Sequence, residues 1–339
     1  EYPGAIQLHN EAQIRAILEQ GVLDRIVEGL TTRFASPGSA ASATSPNDVV
    51  LEGNIDEVND FFYEKGWTDG LAILPPTVER VEEYLRYTER AADEEIAVLP
   101  QANLRATPRN IAINAIMAGC RPEFMPLLIA AVEAVGDPDF QLINLGSTGC
   151  KTPWLLVNGP IVKQLGIEYG VGLRSRGPNP SIGRAFGLVL HNVAGFKAGE
   201  TWMGTWGYYL PFVLAEDEDA YAEIGWEPYH VEKGFDQGTS TVTVRSTVYW
   251  GGQGTPGGWA ARPGWPEISD RKPPPVSAQS ALKVACKHLQ RNTLTELSLQ
   301  WGERNMVAVL FTPPTAKALA KAGGPRAAVP GRVRSGARP

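Results

Sequence analysis

Apolar residues recur at helical spacing from Ala12 to Leu30, at Ile14, Ile17, Leu18, Val22, Ile26 and Leu30, which predicts an amphipathic helix with Gly21 as its soft point. The run "ASPGSAASATSPND" (Ala35–Asp48) carries no apolar stripe and is dense in helix breakers, so it reads as a linker or long surface loop. A second helix is expected over Ile55–Tyr63, stopped by Gly66. A third covers Glu79–Tyr87, with Thr77 as its N-cap. The most regular block is "TPRNIAINAIMAG", where Thr107 caps, Pro108 takes the first helical position and Gly119 stops the helix.

After the corner "AGCRPEF" another helix opens at Pro122 and runs through "EFMPLLIAAVEAV". Short apolar runs at Phe140–Leu145 and Trp154–Val157 predict buried strands, and "SIGRAFGLVLHNVAG" returns to helix with Ser181 as cap and Gly195 as stop. Ser240–Trp250 alternates β-branched and polar residues and is the strongest strand signal. Gly251–Pro275 holds six Gly and six Pro, a density that no regular element survives, so it predicts an exposed loop, lid or hinge carrying Trp259 and Trp265. "NMVAVLFTPPTAKALAKAGG" then reads as strand, turn and helix.

Helices mixed with strands in this way predict an α/β or α+β fold, a single large mixed domain with an N-terminal helical extension. The expected organisation is an extension and linker over 1–48, a main domain over 49–250 and the Gly/Pro/Trp loop over 251–276. Residues 277–322 would complete the main domain, and 323–339 form a basic tail.

Composition narrows the function classes. With 339 residues, 43% of them hydrophobic, the chain can bury a large core, and no apolar run approaches the roughly 18 to 20 residues that span a bilayer. The N-terminus lacks a basic-then-apolar leader pattern, which predicts a cytoplasmic, non-membrane protein. Three cysteines argue against a disulfide framework. The net charge of −6 is uneven: the last 23 residues carry +6 without an acid, leaving −12 on the remainder, a body that repels nucleic acid.

Candidate chemistry gathers at a few places. Cys120 sits between a helix-stopping Gly119 and the helix-opening Pro122. There the orphan N–H groups of a helix N-terminus and neighbouring Arg121 would lower a thiol's pKa; the alternative is a small apolar residue packing a corner. Gly146 to Thr152 has the small residues of an anion nest with Cys150 and Lys151 inside it, Cys150 as a second thiol and Lys151 as a carboxylate ligand, or else it is ordinary turn chemistry. It lacks the order of a phosphate loop. Asn179 precedes a helix whose first turn bears Arg184, a cradle for an anion, unless Arg184 forms a structural ion pair with an acid such as Glu216.

His230, one of four histidines, reads either as a satisfied structural residue, the commoner role of a lone histidine, or as the base if a thiol needs a partner. No CxxC, HxxxH or HExxH occurs, so no metal cofactor is expected, and the acids Glu216 to Glu223 read as a solvated turn more readily than as a cation site. Neither a dinucleotide fingerprint nor a GxSxG elbow is present.

The strings "GWTDGLAILPPT", "NIAINAIMAGCRPEFMPLLIAAVEAV", "LVNGPI", "PSIGRAFGLVLHNVAG" and "WEPYHVEKGF" resemble, in order and over most of Gly66–Asp236, a family of largely uncharacterised bacterial proteins. That family is associated with small thiol or selenol partner proteins of the UGSC type. The resemblance marks Trp67, Asp69, Gly70, Cys120, Arg121, Pro122, Asn158, Gly159, Asn179, Gly183, Arg184 and His230. This chain departs from the pattern at Ser147 to Lys151, where relatives are Thr-rich without cysteine, and at Asp217, where an asparagine is expected.

Residues and resemblance together predict an enzyme subunit that binds a small carboxylate or carbonyl compound and cleaves a bond by hydrolysis or elimination. In it Arg121, Lys151, Asn158, Asn179 and Arg184 bind, Cys120 or Cys150 acts as thiolate, and Asp69 or His230 moves protons. An oligomer with a second chain of the UGSC type is implied. The competing readings are a non-catalytic scaffold subunit and a metal-dependent redox enzyme.

Overall fold

The computed structural model describes residues 10–24, 27–28, 48–146, 152–170, 176–203, 211–247, 316–317 and 319–321. Cys150, Lys151, Trp259, Trp265, Cys286 and the basic tail lie outside them. Two compact units divide at Glu52 and Gly53.

In the first unit, helix α1 (Glu11–Ile17) is opened by a capping box in which Asn10 and Gln13 bond each other's backbone N–H. The single helix expected through Leu30 is interrupted: Gly21 has φ 88°, and a π-type turn occupies Leu18–Val22.

The second unit begins with α2 (Ile55–Glu64) and α3 (Val78–Leu85), joined by the segment Gly66–Leu74. A hairpin, β1 (Ala97–Leu99) with β2 (Leu104–Ala106), leads into α4 (Pro108–Met117), where Thr107 and Asn110 complete the expected cap. One 3₁₀ turn over Pro122–Phe124 carries the chain into α5 (Met125–Gly136). The strand expected at Phe140–Leu145 is instead two 3₁₀ turns, Pro138–Phe140 and Leu142–Gly146. Asp137 caps the first, and Gln141, at φ 54°, turns the chain between them, so the apolar run forms a buried corner instead of an extended segment.

Then follow β3 (Thr152–Asn158), α6 (Ile161–Leu165), α7 (Asn179–Asn192), β4 (Phe212–Ala215), α8 (Glu218–Glu223), α9 (Tyr229–Glu232) and β5 (Thr241–Thr247). Helix α7 starts two residues before the expected cap; Pro178 turns the chain into it, and the Ser181 hydroxyl donates to the Pro178 carbonyl. Helices with small mixed sheets make this a mixed α/β or α+β protein. No described helix is long and apolar enough to cross a membrane.

The three-stranded sheet has the order β4-β3-β5, parallel on one side of β3 and antiparallel on the other. Period-two alternation gives it two unlike faces. Leu155, Val157, Val213 and Val244 join the main core, where α5 packs on β5 and α7 on β4. Trp154, Leu156, Phe212 and Leu214 form a second apolar layer with Tyr229, the Trp154 and Phe212 rings stacked at 5.9 Å. Buried Phe186, Phe196, Ile111, Met117 and Leu128 fill the helical layer, each contributing about 1.5–3 kcal/mol. Following this second face to its end brings Asn158 and the acids after β4 together.

Candidate functional site

The expected site residues fall into two sets. The first is built where α7 meets Gly66–Leu74. Arg184 clamps Asp69 through two parallel bonds of 2.8 Å, Nε to Oδ2 and Nη2 to Oδ1, and its guanidinium also reaches the carbonyls of Leu71, Ala72 and Met117. Asp69 is 2% exposed at its side chain. Burial alone would raise its pKa, but the hydrogen bonds and charge of Arg184 outweigh burial and hold the carboxyl below the ordinary aspartate value. About two turns further along α7, His191 bonds the Gly66 carbonyl at 2.8 Å and Asn192 donates to the Trp67 carbonyl at 2.9 Å. Asn59 of α2 pairs with both backbone groups of Ile73. The segment is thereby fixed from both sides, with Trp67, Leu71 and Leu74 exposed on it.

Arg184 is therefore the structural ion pair weighed against an anion cradle, and its acid is Asp69, not Glu216. Asn179 is also committed to the fold: it accepts from Glu168 N–H and donates to the carbonyls of Glu168 and Val213. Arg121 lies on the surface, 77% exposed at its side chain and 4.0 Å from Glu123.

Cys120 has the surroundings of a packed thiol. It is 6% exposed, its Sγ donates to the Ser181 carbonyl at 3.2 Å, and the Tyr84 hydroxyl donates to its own carbonyl. Burial pushes the thiol up to about 12 against the opposing charge of Arg184, the reverse of the shift expected at a helix N-terminus. The helix that would have supplied that dipole begins with a 3₁₀ turn, and the sulfur faces α7 instead. In the folded protein Cys120 should resist iodoacetamide through pH 9, whereas a free thiol titrates near roughly 8.5. Mass spectrometry of each cysteine after timed alkylation checks this; rapid labelling of Cys120 at pH 7 would contradict it.

The second set lies at the carboxyl end of the parallel pair β3 and β4, where open α/β sheets bind ligands. Asn158, the last residue of β3, is fully buried, and its Nδ2 donates to Glu216 Oε2 at 2.7 Å and to Glu218 Oε1 at 3.2 Å. Glu216, next after β4, is itself buried and also accepts from Tyr229 N–H and the Tyr221 hydroxyl. Glu216 thus departs from the solvated turn that the spacing suggests, while Asp219 and Glu223 of the same run are exposed.

Glu218 also accepts from Gly159 N–H at 2.7 Å. Gly159 has φ 85°, and a Cβ there would meet the Thr239 carbonyl, so only glycine brings that N–H into place. His230, 2% exposed, stands with Nδ1 3.7 Å from Glu218 Oε1 and Nε2 3.4 Å from the Gln237 carbonyl. The Nδ1 distance makes ring and carboxylate neighbours without a hydrogen bond. Among the described residues three buried polar atoms here have no hydrogen-bond partner: Asn158 Oδ1, His230 Nδ1 and Thr241 Oγ1. Thr241 is the cross-strand neighbour of Asn158.

His230 was thus marked by residue type and Asn158 by the resemblance alone, while Glu216 and Glu218 stood out only as members of an acidic turn and Thr241 not at all. The missed signal is the short apolar run "FVLA" after Pro211, a buried strand whose end turns the following acids inward. No set of three or more His, Cys, Asp or Glu among the described residues gathers to hold a metal ion. No family model, curated protein or solved structure matches the chain.

Proposed function

We propose that this chain is an enzyme, or the catalytic part of one, that cleaves a bond in a small carbonyl compound by hydrolysis or elimination, with His230 moving the proton. The observation that carries the reading is the buried Nδ1 of His230, without a hydrogen-bond partner among the described residues and 3.7 Å from the Glu218 carboxylate. A histidine beside a carboxylate can accept a proton and have the resulting imidazolium stabilised, and Gly159 N–H with Asn158 Nδ2 orients that carboxylate. The proton would come from water or from carbon next to the carbonyl and return to the leaving group. Cys120 takes no part in this chemistry, and Arg184 and Asn179 act as supports.

The test is turnover of a panel of small amides, esters and hydroxy-carbonyl compounds, followed by NMR, with wild type beside His230→Gln. Gln keeps much of the shape but not the base, so turnover should fall at least about a hundredfold. Turnover that survives the substitution, or none with any carbonyl substrate, would sink the proposal. The second outcome would favour a non-catalytic docking subunit, a reading supported by Trp67, Leu71 and Leu74 exposed on their anchored segment.

A further inference from the structure

The polar atoms around His230 are unequal in kind, and the inequality points to a ligand class. Asn158 uses both Nδ2 hydrogens on Glu216 and Glu218, which leaves Oδ1 as an acceptor. His230 Nε2 faces the Gln237 carbonyl, which can only accept, so Nε2 carries a hydrogen, and whenever the ring is neutral Nδ1 presents a lone pair. Glu218 adds a carboxylate that is 22% exposed, and His230 is the one basic side chain within 4 Å of it among the described residues. Lys163, the nearest lysine in sequence to Asn158, is held by Asp219 at 2.7 Å. Thr241 contributes a hydroxyl that can accept as well as donate.

Among the described residues, acceptors thus outnumber donors at a buried place that already contains two carboxylates. A buried acceptor left unmet costs free energy that a donor-bearing ligand recovers. Metal coordination would meet the same need, but the acids and histidine here do not form a three-ligand set.

We infer that the group recognised at the end of β3 is a nitrogen cation rich in N–H donors, an ammonium or amidinium, so that the substrate is an amino- or amidino-substituted carbonyl compound. This deepens the reading of His230, Glu218 and Asn158 as a reaction centre and rests on it. The cation would donate to Asn158 Oδ1 and be balanced by Glu218, leaving His230 Nδ1 free to take a proton from the reacting group. An anionic substrate meets the opposite preference, since its charge would face those of Glu216 and Glu218.

The experiment uses the full chain with ¹⁵N-labelled histidine, the His230 ring signals being assigned by their loss in His230→Gln. Methylammonium, guanidinium, acetate and zinc are titrated separately. The inference expects the two nitrogen cations to shift the His230 signals saturably and acetate to leave them in place. In Glu218→Gln the cation affinity should fall at least about tenfold, as when one partner of a desolvated charge contact is removed. Circular dichroism of that variant checks that it is folded. Shifts with acetate, stoichiometric binding of zinc, or no response to either cation would each overturn the inference.

Its failure is separable from failure of the proposed function. Turnover that depends on His230 without cation binding removes only the substrate class. Cation binding without such turnover removes the reaction and leaves a binding site.

Discussion

Replacing Arg184 by alanine is expected to destabilise the protein by about 3–5 kcal/mol, the range seen when one partner of a buried ion pair is removed and the other charge stays behind. Asp69 is the charge left behind, almost wholly buried and deprived of both bonds to the guanidinium. Urea unfolding of wild type and variant measures the loss, and a value under about 1 kcal/mol would place the pair with ordinary surface bridges.

The pH dependence separates the ion pair from the packing lost with the side chain. In wild type Asp69 has a lowered folded pKa. The pair's contribution is complete above the unfolded aspartate value of about 3.9 and disappears as pH falls through the folded value. In Arg184→Ala the unpaired, buried carboxyl titrates upward, so it becomes neutral at a higher pH. The gap between the two proteins should therefore begin to close above the unfolded aspartate value of about 3.9 and go on closing as pH falls through the wild-type folded value. Adding Asp69→Asn to the variant should restore part of the stability at neutral pH. A gap that is constant with pH would mean that packing alone is at work.

Gly183→Ala should cost about 3 kcal/mol, the upper part of the usual overpacking range. A Cβ at this position would fall inside the van der Waals radius of the Pro211 carbonyl oxygen, and the backbone of Phe212 lies just behind. Backbone on both sides cannot give way as a flexible side chain would. The added methyl must push α7 away from the start of β4, and with it Arg184 on the next position of the helix and Val213, whose carbonyl is bonded by Asn179. A thermal melt would read the loss, and an unchanged midpoint would show that the helix and strand can separate freely.

Local chemistry was legible where it was local. Thr107 and Pro108 announce α4, which begins at Pro108 with Thr107 as its cap. The alternation from Ser240 onward predicts β5, whose described part is Thr241–Thr247. What could not be seen from periodicity depends on tertiary neighbours. Phe140–Leu145 is as apolar as a strand but has Pro138 before it and a left-handed Gln141 within it, so it bends into the core as 3₁₀ turns.

The site follows the same division. Arg184 was visible as a residue that needs an anion, but its acid lies 115 positions earlier, and no spacing rule joins them. Cys120 shows this most plainly: its helix-junction position was legible, and the direction of its sulfur, toward Ser181, decides for the corner-packing alternative and against the lowered thiol. Glu216 and Glu218 were hidden by their acidic neighbours, since a four-residue strand gives little periodic signal.

The clamp on Gly66–Leu74 also sets an order of assembly. The groups that hold Gly66 and Trp67 are on His191 and Asn192, 125 residues later in the chain, and Arg184 follows Asp69 by 115. At translation rates of about 5–20 residues per second, Trp67, Leu71 and Leu74 emerge roughly 6–25 seconds before the helix that fixes them. For that interval the nascent segment lacks its bonds to Arg184, His191 and Asn192, which makes the birth of α7, and not the hairpin or the first helices, the event that fixes its backbone.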